Sequence, residues 1–198
     1  MLAASAGWKP AHGVFLVLLV PTVVVWASAE LRQALKRRPE ATTAGWGGEV
    51  VLRATAVAGA LLAALAVTEV PAADIRPAAL AAWLGLLFLW CGIALRIWCF
   101  RTLGRYFTLT VRTSRDQPVI ADGPYRVLRH PSYSGLLLAF IGLGLFIGNW
   151  LSVLALGVGF TIGIVSRIRM EERALVADLG DRYLEYAATR KRLVPFVW

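Results

Sequence analysis

Between Arg129 and Arg167 the chain carries no Lys, Arg, Asp or Glu, and the run is almost wholly apolar. One helix needs roughly 20 residues to cross a bilayer. The stretch 131–166 is too long for a single crossing and suits two short ones. Gly148-Asn149-Trp150 offers a turn with an interfacial aromatic, so the spacing predicts helices over 132–147 and 150–166. A hairpin of that kind returns the chain to the face it left. The polar segment 123–135 and the block Arg167-Ile168-Arg169-Met170-Glu171-Glu172-Arg173 should then meet at one membrane face. Ionisable groups that close to hydrocarbon are costly, which makes a functional site the default reading.

The rest of the chain extends this pattern. It is 58% hydrophobic with a mean hydropathy of +0.64, which places it in the membrane class. Three further charge-poor stretches, 13–29, 54–70 and 78–100 (with Arg96 near its end), bring the expectation to five transmembrane helices. After Arg167, Leu175, Leu179, Tyr183 and Tyr186 recur at helical spacing, predicting a cytosolic amphipathic helix to about residue 188, interrupted only by Gly180, and then a tail. The expected fold is an all-α integral membrane protein with no Rossmann domain. It forms one membrane domain over 1–198, in which three N-terminal helices occupy 1–102 and a core occupies 103–198.

The net charge of +9 does not point to nucleic acid, because the basic residues sit at the ends of apolar spans rather than in one stripe. With the N-terminus outside, external segments hold only Lys9 and Arg76 of the 21 Lys and Arg residues. That bias puts both polar blocks and the C-terminus in the cytoplasm. Ala27-Ser28-Ala29 resembles a signal-peptidase site, but the basic cluster Lys36-Arg37-Arg38 follows it, which suits a retained first helix. Gly144-xxx-Gly148 and Gly159-xxx-Gly163 read as close helix packing in lipid. Cys91, Cys99, His12 and His130 show no metal-ligand spacing, and no nucleophile elbow is present.

Two polar groups can carry chemistry. Pro131 suits the first turn of a helix, placing His130 near the N-cap beside free backbone N–H groups that can bind an anion. The competing reading makes His130 a cap and Tyr133 an interface anchor. Glu171 and Glu172 point about 100° apart on a helix. One can face a pocket while the other pairs with Arg; alternatively both are solvated and neutralised by Arg167, Arg169 and Arg173.

Gly123-Pro124-Tyr125-Arg126, Arg129-His130-Pro131-Ser132-Tyr133-Ser134-Gly135, Glu171-Glu172, Leu179-Gly180 with Tyr183 and Tyr186, and Lys191-Arg192-Leu193-Val194-Pro195-Phe196 together resemble the isoprenylcysteine carboxyl methyltransferase family, which is related to phospholipid N-methyltransferases. Leu103-Gly104-Arg105-Tyr106-Phe107-Thr108 is also similar, so the likeness covers about 103–198. The resemblance implies an integral-membrane enzyme that uses S-adenosylmethionine, releases S-adenosylhomocysteine and needs no metal. It implies a cofactor site from Tyr125, Leu128, His130, Pro131, Tyr133, Gly135, Glu171 and Glu172, closed by Pro195 and Phe196. Arg129, Arg169 or Arg173 would hold the acceptor's anion. The implied acceptor is lipidic, first of all a prenylated cysteine carboxylate; a phospholipid amine, a phenolic lipid and a small thiol are alternatives. A phenol or thiol would need a base. A nicotinamide-dependent membrane reductase and a non-enzymatic membrane protein are the readings from other classes. The Ala-, Val- and Arg-rich composition suggests a bacterial inner membrane.

Overall fold

The computed structural model describes residues 12–35, 42–43, 47–107 and 112–198. Lys9, Lys36, Arg37, Arg38 and Thr108 lie outside them. Among the described residues six α-helices make up the body: α1 His12–Ala34, α2 Gly47–Glu69, α3 Ala78–Leu103, α4 Pro131–Ile147, α5 Trp150–Leu179 and α6 Asp181–Ala188. Among the described residues the one strand ladder is a two-residue antiparallel pair, Thr42–Thr43 with Arg112–Thr113. Helices α1, α2, α3 and α5 are long and apolar enough to cross a bilayer, and α4 is a shorter apolar helix of 17 residues. Outward-facing side chains such as Leu61, Leu62, Trp83 and Leu87 are apolar and exposed, as a lipid-facing surface requires. The chain is an integral membrane protein.

Glycine sets how closely these helices approach. A Cβ on Gly135 of α4 would come within 2.7 Å of the Gly92 carbonyl oxygen on α3. One on Gly159 of α5 would come within 2.9 Å of the Thr55 carbonyl oxygen on α2. Backbone contact of this kind supplies the dispersion that holds helices together where lipid removes the hydrophobic drive. Gly163 packs on α2 as its spacing predicted, and Gly144 packs on Val153. Gly148 does not pack: its φ of 82° makes it the left-handed end of α4. Asn149 follows as N-cap of α5, its Oδ1 accepting from the Leu151 and Ser152 amides at 3.0 and 3.3 Å. Its Nδ2 reaches the Val70 carbonyl at 3.2 Å and Asp74 Oδ1 at 3.1 Å, tying this end of the bundle to the α2–α3 connection. Asn149 is fully buried, so these bonds replace water.

A second expectation changes. The span predicted to end at residue 166 runs on without a break to Leu179, so Glu171 and Glu172 sit on the same helix that crosses the membrane. No breaker interrupts it, and Arg167, which would otherwise end the apolar run, is buried against Glu49. The break falls at Gly180, with φ 56°, and α6 is a short separate helix.

Candidate active site

The alternating direction of the helices brings the C-terminal ends of α1 and α3, the N-terminal ends of α2 and α4, and the C-terminal part of α5 to one end of the bundle. They enclose a cavity of about 320 Å³ with a mixed lining. Leu52, Leu103, Phe107, Leu136, Leu175 and Leu179 supply apolar wall; Glu30, Glu49, Arg96, Arg129, His130, Tyr133, Arg167 and Glu171 supply charge and hydrogen bonds. Such convergence of polar groups in an apolar concavity is how small-molecule sites are built.

Pro131 is the first residue of α4 and fully buried, and His130 occupies the N-cap position as the spacing predicted. The His130 side chain does not cap the helix. Instead its Nε2 lies 3.3 Å from Glu172 Oε1, and its ring stacks on Tyr133 at 5.8 Å between centroids. Tyr133 is no interface anchor. Its hydroxyl donates to Glu171 Oε2 at 2.7 Å and accepts from Arg167 Nε at 2.6 Å, joining α4 to α5.

The two glutamates have separate jobs. Glu171 faces the cavity. Glu172 turns away to a cluster that docks the C-terminal tail: Arg129 Nη1 at 2.7 Å and His130 on Oε1, and Arg192 Nε at 2.9 Å on Oε2. Around it, the Arg129 amide donates to the Lys191 carbonyl at 2.8 Å and the His130 amide to the Arg192 carbonyl at 3.0 Å. Ser134 Oγ donates to the Leu193 carbonyl, and Trp198 lies partly buried on the Ile164, Ile168 and Leu193 cluster. The tail is thus laid along the start of α4 and holds the 125–130 segment in place.

Two further charge pairs cross the cavity. Arg96 is gripped by Glu30, with Nη2 to Oε2 at 3.0 Å and a closer Nε contact to Oε1. Its Nη1 donates to Ser132 Oγ at 2.7 Å. Arg167 Nη1 pairs with Glu49 Oε2. Each guanidinium is buried beside a carboxylate, which offsets its desolvation.

Tyrosines close one side of the cavity. Tyr186 Oη donates to the Tyr125 carbonyl at 2.9 Å and lies 3.3 Å from the Leu128 carbonyl. Burial pushes the Tyr186 phenol up to about 12, and pushes Tyr125 and Tyr183 well above the ordinary phenol range. All three therefore keep their proton at neutral pH and remain donors. Tyr183 is 5% exposed and lines the cavity, and its buried hydroxyl has no hydrogen-bond partner among the described residues. A buried donor without an acceptor costs free energy unless a ligand completes it.

Of the residues expected from sequence, Tyr125, Arg129, His130, Tyr133 and Glu171 line the cavity. Several others do not. Leu128 is buried beneath the segment and Pro131 opens the helix. Gly135 is a packing glycine against α3, and Glu172 docks the tail. Arg169 and Arg173 are exposed on α5, turned from the cavity by the helical period, so neither holds an anion there. Pro195 and Phe196 do not close the cavity; Phe196 is 94% exposed with a left-handed φ of 67°. Sequence reasoning passed over Glu30 and Glu49, and named Ser132 and Tyr183 without assigning them to the site. The signal available for the two glutamates was that Arg96 and Arg167 lie within apolar helices and each requires a carboxylate.

Residues 83–177 match the model of the isoprenylcysteine carboxyl methyltransferase (ICMT) family. Protein-S-isoprenylcysteine O-methyltransferase B of Arabidopsis thaliana is 35% identical over 115 residues, which are 57% of this chain and 58% of that protein. The Schizosaccharomyces pombe protein-S-isoprenylcysteine O-methyltransferase is 31% identical over 112 residues, covering 56% and 48%. The chain thus spans only about half the length of the curated relatives it matches. In fold it is similar to the solved structure of a eukaryotic intramembrane Ras methyltransferase, isoprenylcysteine carboxyl methyltransferase, with a TM-score of 0.68 at 23% identity over 99% of this chain and 70% of that one.

Proposed function

We propose that the chain is a member of the isoprenylcysteine carboxyl methyltransferase family, whose model matches residues 83–177, and that it transfers a methyl group from S-adenosylmethionine to a carboxylate on a membrane-embedded, isoprenylcysteine-like acceptor. The observation that carries this reading is the cavity itself, where Glu171, Tyr133, His130 and the Tyr183 hydroxyl, unpartnered among the described residues, meet an apolar wall beside Arg167.

When bound, S-adenosylmethionine supplies an electrophilic methyl group on its sulfonium. The residues present suit that molecule. Glu171 can accept from ribose hydroxyls or the amino group, Tyr183 Oη can donate to an oxygen, and the faces of Tyr125 and Tyr133 tolerate a sulfonium. Tyr125, His130, Tyr133, Glu171 and Tyr183 would hold it. Glu172, through Arg129, His130 and Arg192, would fix the segment and tail that shape the site.

Arg167 takes the acceptor's carboxylate in this reading. Arg129 is turned to Glu172 and the Arg190 carbonyl and Arg96 to Glu30 and Ser132, while Arg167, itself paired with Glu49 and Tyr133, lies in the cavity wall beside Glu171. A carboxylate acceptor is ionised at neutral pH, so the chain has no proton to remove. Its work is alignment and exclusion of water, which the buried lining of Leu136 and Phe107 favours. The lipid tail stays between helices while the head reaches the cavity. The cavity opens to the cytoplasm, as the positive-inside bias indicates, with the N-terminus of α1 outside.

The test is calorimetric binding of S-adenosylmethionine and S-adenosylhomocysteine to detergent-purified protein, with radiolabelled methyl transfer to an S-prenylated N-acylcysteine. Binding that is lost in Glu171→Ala, together with transfer to the acceptor, supports the reading. A parent protein that binds neither cofactor form sinks it.

A further inference from the structure

Glu49 bridges two arginines in different surroundings. Its Oε2 pairs with Arg167, which is buried and lines the cavity, and its Oε1 pairs with Arg53 Nη2 at 2.8 Å, whose side chain is 71% exposed. Leu52, Arg53 and Glu49 all line the cavity from α2. That helix precedes the stretch that matches the family model. The other cavity carboxylate is fixed differently. Glu30 holds Arg96 with both oxygens, receives Trp26 Nε1 at 3.0 Å, and Arg96 is further tied to Ser132. The second partner of Glu49 is by contrast the mostly exposed Arg53.

We propose that Glu49 is a place-holder for the acceptor's carboxylate: it pairs with Arg167, yields it to the incoming anion, and withdraws to Arg53. This rests on the carboxyl-methyltransferase reading above. The exchange conserves charge, because one carboxylate leaves Arg167 as another arrives. The released group is not orphaned. Glu49 lies in the first turn of α2, where a carboxylate is favoured by free N–H groups, and it already holds Arg53. Until an anion arrives, the buried guanidinium keeps a partner and does not carry the cost of an unpaired charge. An uncharged lipid headgroup cannot make this exchange, so Glu49 selects for anionic acceptors. Glu49 is a positioning and specificity residue; it does not touch the reacting atoms.

The experiment measures steady-state KM for an S-prenylated N-acylcysteine, and Ki for its primary-amide analogue, in the parent protein, Glu49→Gln and Arg53→Gln. Glu49→Gln removes the competing charge and should lower KM about fivefold, the lower end of ordinary coupling between ligands. Arg53→Gln removes the refuge and should raise KM. The amide's Ki should stay unchanged in both variants. A brace for Arg167 predicts a raised KM in Glu49→Gln; that outcome, an unchanged KM, or an amide Ki that moves in parallel overturns the proposal. If Glu49→Gln does not fold, the exposed Arg53→Gln decides alone, and an unchanged KM there overturns it. A parent protein that shows no methyl transfer overturns the functional reading and this inference with it; transfer with unmoved KM values overturns the inference only.

Discussion

Replacing Glu172 by Gln should loosen the C-terminal tail while leaving the helical body folded. The carboxylate is the shared partner of Arg129 at 2.7 Å, His130 at 3.3 Å and Arg192 at 2.9 Å, and its side chain is 12% exposed. Gln is isosteric, so packing is kept, while the charge is lost and one of the two acceptor oxygens becomes an NH2 donor. Turning a charge-assisted bond into a neutral one costs about 1 kcal/mol. The Arg129 and His130 contacts lose that much each. The Arg192 guanidinium is 35% exposed and adds little after screening. The sum is about 2 kcal/mol, or about thirtyfold in the ratio of open to docked tail. Other attachments remain: the Lys191 and Arg192 carbonyls still accept backbone N–H groups, Leu193 is still buried, and Trp198 still packs. Docking is therefore weakened and not abolished. Limited trypsinolysis reads this directly, because Arg190, Lys191 and Arg192 are its cleavage points and their carbonyl groups lie in the docked segment. Where opening is fast relative to cleavage, the rate follows the open population and should rise about thirtyfold. Cofactor affinity should fall only severalfold, through loosening of His130. An unchanged cleavage rate refutes the docking role. A large loss of cofactor affinity with the tail still protected makes Glu172 a direct ligand contact instead.

Tyr183→Phe removes a buried hydroxyl that has no partner among the described residues, so thermal stability should hold or rise while S-adenosylmethionine affinity falls about tenfold; calorimetry showing unchanged affinity removes Tyr183 from the site. Gly135→Leu cannot be accommodated against the Gly92 backbone, and should destabilise by about 3 kcal/mol or more, seen as a lower melting temperature and broadened size-exclusion profile. The Tyr186 phenol sits near 12 in the fold and near 10 when unfolded, so its contribution is full below pH 10 and is lost as pH rises towards 12. The 295 nm difference between the parent protein and Tyr186→Phe should therefore show no ionisation below about pH 11 when folded and a midpoint near 10 in denaturant; a folded midpoint near 10 contradicts the buried bond to Tyr125.

The charge-free run from Pro131 to Ser166 determined the hairpin, because a charge-free apolar stretch too long for one crossing has to fold back, and Gly148-Asn149 marked the turn. Pro131 determined where α4 starts and so where His130 sits. The helical period could say that Glu171 and Glu172 part company, but not which one faces inward. That depended on Tyr133 and Arg167 lying on one side of α5 and on the tail lying on the other. The same limit explains the residues missed. Glu30, Glu49 and Tyr183 are scattered over more than 150 residues, and no spacing rule links them. They meet because glycines on α3, α4 and α5 let backbones come into contact, converging four helix ends on one cavity. Sequence determined which groups would be too costly to leave beside lipid; the packing of the helices decided which partner neutralises each, because pairing depends on a few ångströms that periodicity does not encode.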